Sequence, residues 1–264
     1  MNPISNKSPL RYPGGKTRAC RKLEAILNEH FDISDFDNLV SPFFGGGSFE
    51  FYIQNNHQLN IIANDKFTPL YNFWNTCKNN KDSLCTELTK NIDMINKAYF
   101  TCLREQIMEE KNNLNQSVMY FIINRSSFSG ATLSGGFSLE ASKKRFTKSS
   151  IERIKKLDLR RFSIYNLDFE DFINTNQDTK HLTFLDPPYY LGKASTLYGK
   201  NGDMHEAFDH ERLCKLLSTK QKWFMTYNNC EYIKNLYKDF KIIETNWSYG
   251  MNKSKKSSEI VIIG

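Results

Sequence analysis

The sequence predicts an α/β fold in which a mostly parallel sheet carries an antiparallel hairpin at one edge and a helical insert interrupts the chain. Three observations support this prediction. Short apolar runs bounded by turn residues recur along the chain, several of these runs are continuous rather than alternating, and helical patterns lie between them. Strands that alternate with helices are typical of parallel sheets.

Seven apolar runs are predicted strands. The last two are joined by the polar stretch GMNKSKKSS at 250–258, which predicts an antiparallel hairpin at the sheet edge. The apolar runs in which these strands lie cover 38–43, 59–64, 162–168, 181–189, 222–228, 240–249 and 258–264.

Two amphipathic helices are predicted beside these strands, because leucine and isoleucine recur there at helical spacing. Each helix carries one apolar face that can pack on the sheet. The first covers residues 16–30, with Leu23, Ile26 and Leu27 on that face, and the second covers residues 209–220, with Leu213, Leu216 and Leu217.

Residues 67–160 are too long for a normal crossover between strands. They are predicted to be mostly helical, since 86–114 is rich in helix formers, and to end in a loop-like segment at 124–146. The sequence therefore predicts an α/β domain of residues 1–66 and 161–264, and a helical insert of residues 67–160 that includes a hairpin loop.

The composition is that of a basic globular protein. The 264 residues carry a formal net charge of +7, which suits either a phosphate-bearing partner such as nucleic acid or an ordinary basic cytosolic enzyme. Six scattered cysteines without a Cys-x-x-Cys pair match neither a zinc site nor a disulfide framework, so we expect no metal and free thiols. No stretch approaches 18 apolar residues and the N-terminus lacks the apolar core of a signal peptide, so we expect a cytoplasmic protein without a membrane span.

Two glycine-rich stretches, RYPGGK at 11–16 and SPFFGGGSFEF at 41–51, suggest a bound ligand. A Walker loop would need glycine at Leu10 and a dinucleotide loop would need glycine at Glu50, so both readings fail. What remains is a strand, a glycine turn and a helix, the usual place for a nucleoside-bearing ligand. Asp65, at the end of the next strand, can accept hydrogen bonds from ribose hydroxyls, although a tight turn with a capping Asp explains the same residues.

The tetrapeptide Asp186-Pro187-Pro188-Tyr189 follows a predicted strand directly. Two prolines cannot continue a central strand, so they fix a rigid turn at its carboxyl end, where ligands bind in such sheets. The carboxylate and the first proline carbonyl can accept both hydrogens of a planar exocyclic amine, while the tyrosine ring stacks on the base that carries it. This pattern predicts chemistry at an amine by positioning and electrostatics, without a metal.

These motifs, in this order, resemble those of the Dam-like DNA adenine-N6 methyltransferases, which use S-adenosylmethionine. RYPGGK is similar to the N-terminal cofactor motif, SPFFGGGSFEF to the glycine-rich motif, NDK at 64–66 to the ribose-binding acid, and NLDFEDF at 166–172 to the segment that contacts the cofactor adenine. The resemblance covers nearly the whole chain. It implies a Rossmann-like methyltransferase sheet that binds the cofactor, with the insert as the target-recognition part.

The resemblance also implies the roles of individual residues. Catalysis is assigned to Asp186, Pro187, Pro188 and Tyr189, acting on an adenine flipped out of the duplex. S-adenosylmethionine contacts are assigned to Tyr12, Pro13, Gly14, Gly15, Lys16, Phe43, Gly45, Gly47, Asp65, Asp168, Phe169 and Asp186. DNA contacts are expected from Asn124, Arg125, Ser127, Lys143, Lys144, Arg145, Lys253, Lys255 and Lys256, with Arg125 as the leading candidate.

Two departures from the family pattern matter. The family usually has an acidic residue where Ser41 stands, and its loss could weaken cofactor binding or shift its task to a neighbour. The segment ATLSGGFSLEASKKRF at 131–146 differs from members that methylate GATC, so that target is not transferred. The expected partner is double-stranded DNA, bound by a monomer or by a dimer on DNA.

Two other functions fit part of the pattern. An RNA or protein-amide methyltransferase shares the chemistry, but more often carries Asn at the first position of the tetrapeptide and lacks this N-terminal motif with a long central insert. A catalytically impaired DNA-binding homologue gains slight support from Ser41, whereas the intact DPPY motif and glycine runs argue against it.

Overall fold

The computed structural model describes residues 6–12, 14–190, 208–248 and 256–264. Its centre is a seven-stranded sheet in the order β3-β2-β1-β4-β5-β7-β6, in which only β7 runs antiparallel to its neighbours. The predicted fold class is confirmed, and each predicted run contains a strand. The strands are β1 (Asn38–Ser41), β2 (Asn60–Asn64), β3 (Phe162–Tyr165), β4 (His181–Leu185), β5 (Trp223–Asn228), β6 (Lys241–Ser248) and β7 (Lys256–Ile263).

The predicted hairpin of β6 and β7 is confirmed, and its order in the sheet is informative. β7 lies between β5 and β6, so β6 forms the edge and β7 is buried on both faces. Val261 and Ile263 pack on one face, whereas Ile260 and Ile262 pack on the other, as the two-residue period of a strand requires.

The helices of the described residues lie on both faces of this sheet. The two predicted amphipathic helices are confirmed, and the apolar residues assigned to their faces are buried. The helices are α1 (Cys20–Asn28), α2 (Ser48–His57), α3 (Thr68–Asn79), α4 (Lys81–Lys90), α5 (Lys97–Gln106), α6 (Asn113–Ser126), α7 (Leu139–Arg145), α8 (Lys148–Lys155), α9 (Phe169–Thr175), α10 (His210–Leu217) and α11 (Glu231–Leu236).

The helical run expected at 86–114 is divided, because asparagines end and restart helices within it. Asn96 and Asn112 cap α5 and α6 by accepting hydrogen bonds from backbone N–H groups. The segment expected to be loop-like at 124–146 is helical at both ends. It begins in the last turn of α6 and ends in α7, and the hairpin between them is limited to one bridge, Ser127 with Phe137.

The insert and the sheet share one hydrophobic core. Trp74 of α3 is fully buried, and its ring centroid lies 5.2 Å from that of Phe44 and 5.7 Å from that of Phe51. Phe162 of β3 packs against the same two phenylalanines. The insert therefore rests on the segment that follows β1.

β1 lies at the topological switch point of the sheet, because the next strands in the chain, β2 and β3, are added on one side of it and β4 and β5 on the other. It pairs in parallel with β2 on one side and with β4 on the other. Ligands of open α/β sheets bind at such a point, beyond the carboxyl ends of the strands. Residues 42–47 after β1 and 186–190 after β4 leave the sheet side by side at this edge.

Candidate active site

The glycine turn after β1 requires glycine at two positions. Gly45 and Gly47 have φ values of +50° and +66°, in the left-handed region. A Cβ atom at Gly47 would lie 2.5 Å from the Phe44 ring, and one at Gly45 would lie 2.9 Å from the Tyr12 ring. The structure thus brings Tyr12 of the first motif onto the second, as their shared assignment to one ligand expects.

Asp65 fastens this turn to the end of β2. One carboxylate oxygen accepts a hydrogen bond from the Gly45 N–H at 2.9 Å, and the other accepts one from the Phe67 N–H at 2.9 Å. Burial raises the pKa of Asp65 to about 6 against the opposing effect of these two bonds. Each oxygen retains a second lone pair, so the carboxylate can also accept a ligand hydroxyl.

Trp74 holds the turn from the other side. Its indole N–H donates to the Gly45 carbonyl at 2.9 Å. The sequence analysis assigned Trp74 no role in the site, because the residue belongs to the insert and to none of the motifs. Its pairing with Gly45 depends on how α3 packs on the sheet.

Lys16 and Asp186 join the N-terminal motif to the DPPY turn. The Lys16 Nζ lies 2.8 Å from both carboxylate oxygens of Asp186, and the Lys16 side chain is 3% exposed, compared with 25% for that of Asp186. Thr226, in β5, donates a further hydrogen bond of 2.7 Å to Asp186. The carboxylate is thus fixed by a cation and a hydroxyl while one side of it stays open.

Tyr189 is fixed at both ends of its side chain. Its hydroxyl donates to the Glu259 Oε2 at 2.6 Å, and its ring stacks on Tyr227 with centroids 5.8 Å apart. The Lys16 Nζ lies 5.0 Å from the centroid of the Tyr189 ring. Burial, with Asp186 and Glu259 nearby, raises the pKa of Tyr189 well above its ordinary value, so the phenol stays protonated.

Ser41, where the family usually has an acid, contacts an acid from the next helix. Its hydroxyl donates to the Glu50 Oε1 at 2.6 Å, and Glu50 is 2% exposed in the first turn of α2. Burial, aided by the neighbouring Asp186, raises the pKa of Glu50 to about 7 against the opposing effects of the Ser41 hydrogen bond and Lys16. Position 50 was noted in the sequence only as the missing third glycine of a dinucleotide loop.

Asp168 and Phe169 begin α9, and a cation covers both. The Arg212 guanidinium lies 2.7 Å from the Asp168 Oδ1 and 4.3 Å from the centroid of the Phe169 ring, while Lys66 pairs with the other Asp168 oxygen at 2.9 Å. Burial alone would raise the pKa of Asp168, but its hydrogen bonds to Lys66, the Glu170 N–H and Arg212 hold the pKa below its ordinary value. Phe169 also contacts Phe43, whose ring centroid is 5.8 Å away.

Asn124 and Arg125, both predicted to contact DNA, instead hold the N-terminal segment. Asn124 is fully buried, accepts from the Arg11 N–H at 3.0 Å and donates to the Arg11 carbonyl at 2.8 Å. Arg125 is 9% exposed and donates to the backbone carbonyls of Arg145 and Pro9. Both side chains are turned inward in this structure, and their contact with DNA stays a prediction.

Arg125 nevertheless belongs to a basic cluster that reaches the surface. Burial and the nearby Arg153, Arg145 and Arg11 lower the pKa of Arg125 to about 10. Arg153 is exposed, and Arg11 and Arg145 are half-buried. Arg11 belongs to RYPGGK but was assigned no contact, and Arg153 lay outside the motifs. Only the packing of the folded chain reveals that they meet.

The remaining predicted DNA contacts differ in position. Ser127 is buried and accepts a hydrogen bond from the Thr132 N–H, whereas Lys143 and Lys144 are exposed at the end of α7, where Lys144 pairs with Glu140 at 2.8 Å. Pro13, Lys253 and Lys255 lie outside the described residues, as does most of the predicted basic loop at 250–258, and the backbone of Lys256 begins β7.

Phe128 projects from the hairpin between α6 and α7. Its side chain is 68% exposed, the highest value among the large apolar side chains of the described residues. An aromatic ring in water beside basic side chains is typical of surfaces that stack on nucleic-acid bases. Phe128 was given no role in the sequence, although it directly follows Ser127, a predicted DNA contact.

Comparison with known families is consistent with this geometry. The family described as D12 class N6 adenine-specific DNA methyltransferase matches residues 12–251, which include every strand from β1 to β6. The chain belongs to this family. The prediction of a DNA adenine-N6 methyltransferase is therefore confirmed, and the RNA and protein-amide alternatives lose their support.

Two curated relatives match this methyltransferase over most of their length. A type II methyltransferase, M.MjaIII of Methanocaldococcus jannaschii, is 25% identical over 262 residues, with 88% of each chain covered. A second, M.CviBI of Paramecium bursaria Chlorella virus NC1A, is 23% identical over 245 residues, which cover 90% of this chain and 86% of the relative.

Membership in the family means that the methyltransferase uses a methyl donor and acts on DNA. No helix among residues 6–12, 14–190, 208–248 and 256–264 is long and apolar enough to cross a membrane. Within the same residues, no group of three or more His, Cys, Asp or Glu side chains is placed to hold a metal ion.

Proposed function

We propose that this methyltransferase uses S-adenosylmethionine and methylates the N6 amine of an adenine flipped out of double-stranded DNA. The ion pair of Lys16 with Asp186 is the observation that carries this proposal. It brings the N-terminal motif against the DPPY turn at the carboxyl edge between β1 and β4, and Tyr12 brings the same motif against the glycine turn. A donor held by the glycines would therefore lie beside the group that receives its methyl.

The residues around the turn fit the chemical groups of this donor. Asp65 can accept from ribose hydroxyls, since each of its oxygens keeps a lone pair beyond its backbone hydrogen bond. Asp168 and Phe169 begin α9 nearby and offer a carboxylate and a ring to an adenine, with Arg212 lying over that ring. When bound, the donor would supply an electrophilic methyl on a sulfonium. The adenine nitrogen would bond to that carbon as the C–S bond breaks, and the methylated amine would then lose one proton to solvent.

Asp186, Pro187 and Tyr189 prepare the nitrogen for this bond. The carboxylate and the Pro187 carbonyl accept the two amine hydrogens, which returns electron density to a nitrogen otherwise delocalised into the base. Lys16 and Thr226 hold the carboxylate in place, so little reorganisation is needed during transfer. The Tyr189 ring, fixed by Glu259 and Tyr227, offers a flat surface to the base.

DNA would approach the face formed by α7 and the hairpin before it. Arg11, Arg145 and Arg153 bring positive charge there, Lys143 and Lys144 extend it, and Phe128 offers an exposed ring. Phosphate contacts from such a cluster fix the position of a duplex, while base contacts specify the sequence. We assign the protein to duplex DNA as a monomer and, by analogy with the named type II relatives, to methylation of one defined sequence.

A transfer assay tests the proposal directly. Tritiated S-adenosylmethionine and duplex DNA should yield labelled N6-methyladenine with the wild-type chain, and genome-wide modified-base sequencing of an expressing host should show one methylated motif. Asp186→Asn keeps the shape of the side chain and should lower transfer by at least about a thousandfold while donor binding persists. Normal turnover by Asp186→Asn, or label in RNA or protein in place of DNA, would refute the assignment.

A further inference from the structure

The buried carboxylate of Glu50 has no assigned role in the methyl transfer. We propose that Glu50 gives the site its preference for the charged methyl donor over the demethylated product, taking the place of the acid that the family carries at position 41. The inference rests on the proposed function, since it concerns the same donor.

Position is the first argument. Glu50 reaches back from the first turn of α2 to the end of β1, where its Oε1 accepts the Ser41 hydroxyl at 2.6 Å. Position 41, where the family usually has an acid, thus holds a serine whose hydroxyl contacts the carboxylate of Glu50. A negative charge stands at nearly the same place although it comes from a residue nine positions later.

Charge balance is the second argument. The groups that face Glu50 are Lys16 before α1, Cys20 of α1, Asp186 after β4 and the Ser41 hydroxyl of β1. Burial raises the pKa of the Cys20 thiol to about 12, so Cys20 stays neutral. Lys16 offsets Asp186, and an ionised Glu50 therefore leaves this group of facing side chains with one net negative charge.

The donor and its product differ by one charge. S-adenosylmethionine carries a sulfonium, an ammonium and a carboxylate, which sum to one positive charge, whereas S-adenosylhomocysteine has lost the sulfonium and is neutral overall. A buried negative charge close to the ligand favours the first over the second, because burial weakens the screening by water. Because the product has lost this positive charge, the buried negative charge holds it less tightly and its release is favoured.

The protonation of Glu50 gives a measurement that needs no variant. Burial holds the pKa of Glu50 near 7, so the group is half-protonated there. A cation bound beside it lowers that pKa, and binding of S-adenosylmethionine at pH 7 should release about half a proton. Asp65 titrates at lower pH and faces the ribose shared by both ligands, so it should contribute equally to each.

Calorimetry in buffers of different ionisation enthalpy tests the inference. Wild-type protein should release the proton on binding S-adenosylmethionine and not on binding S-adenosylhomocysteine. Glu50→Gln should abolish this release and lower the ratio of the two affinities about tenfold, and Ser41→Asp added to Glu50→Gln should restore much of it. Glu105→Gln, exposed on α5, is the matched control and should behave as wild type.

The outcomes separate this inference from the function on which it rests. Equal proton release for both ligands in the wild type would overturn the role of Glu50, and so would an unchanged affinity ratio in a folded Glu50→Gln variant. Either result leaves methyl transfer standing. Failure of the wild-type chain to bind S-adenosylmethionine at all would instead overturn the proposed function.

Discussion

The carboxylate of Asp186, the proposed catalytic group, is held by a lysine that is itself buried. Lys16 is 3% exposed and contacts both oxygens of Asp186 at 2.8 Å. Removing one partner of a buried pair leaves the other charge poorly compensated, which costs more than the pair contributes. The catalytic group and its lysine are therefore coupled in stability as well as in chemistry.

We expect Asp186→Ala to lower the free energy of unfolding by about 2–4 kcal/mol in addition to stopping methyl transfer. Lys16→Met added to it should recover part of that loss, because the uncompensated cation is gone. Urea denaturation of the two single variants and the double variant measures the coupling. Additive losses would show that the two side chains do not interact.

Glu50 makes stability depend on pH in a defined direction. Its pKa in the folded protein is about 7, above the ordinary 4.5 of a glutamate, so between these values the folded protein binds more protons than the unfolded chain. The free energy of unfolding should therefore fall as pH rises from about 4.5 to 7, by as much as about 3 kcal/mol from this group. Asp65, whose pKa is about 6, contributes with the same sign at lower pH.

Chemical denaturation at a series of pH values compares wild type with Glu50→Gln. The variant should show a flatter profile between pH 5.5 and 7, and it should be the more stable of the two above pH 7. A profile as steep as that of the wild type would show that Glu50 is not the group responsible.

Among the elements, the turn between β1 and α2 depends most on backbone conformation. Gly47 has a φ of +66°, and a Cβ atom there would meet the Phe44 ring at 2.5 Å. Gly136, in the hairpin before α7, has no atom within 4 Å of such a Cβ and serves as the matched control.

We expect Gly47→Ala to cost about 2–3 kcal/mol of stability and to weaken donor binding, because both strain and overpacking oppose it. Gly136→Ala should change neither by a measurable amount. Thermal unfolding and donor-binding titration on both variants check this, and equal effects at the two glycines would contradict it.

The sequence identifies the elements and motifs of the site, because these depend on local spacing. All seven strands and both amphipathic helices are confirmed, since burial on one or both faces leaves a readable period. Trp74, Thr226 and Arg212 were missed, because each contacts the site only after distant segments pack. Asn124 and Arg125, two predicted DNA contacts, also hold the N-terminal segment, a task that only the packed structure reveals.

At the scale of the whole molecule the net charge is +7, and several of the basic side chains lie together near α7. Lys143 and Lys144 are exposed beside the cluster of Arg11, Arg145 and Arg153. Binding of a duplex to such a face releases counterions, so its affinity falls as salt rises.

We expect Lys143→Ala with Lys144→Ala to reduce the slope of log affinity against log salt by about 1–2. We expect a reduction of about 1, because Lys144 already pairs with Glu140 and therefore neutralises less phosphate charge. Fluorescence anisotropy with a labelled duplex measures the slope. Lys238→Ala is the control, since Lys238 is exposed in the segment just before β6. An unchanged slope in the double variant would place the DNA on another face.

The ion pair of Lys16 with Asp186 also determines how much of the chain must be synthesised before the active site can form. It joins residues 170 positions apart, and Thr226 completes it from a strand later still. Contacts of such separation close only when most of the intervening polypeptide has collapsed. During synthesis the nascent chain must therefore emerge past β5 before the pocket is complete. A ribosome-bound fragment that ends before Thr226 should not methylate DNA, however well its amino-terminal half has folded.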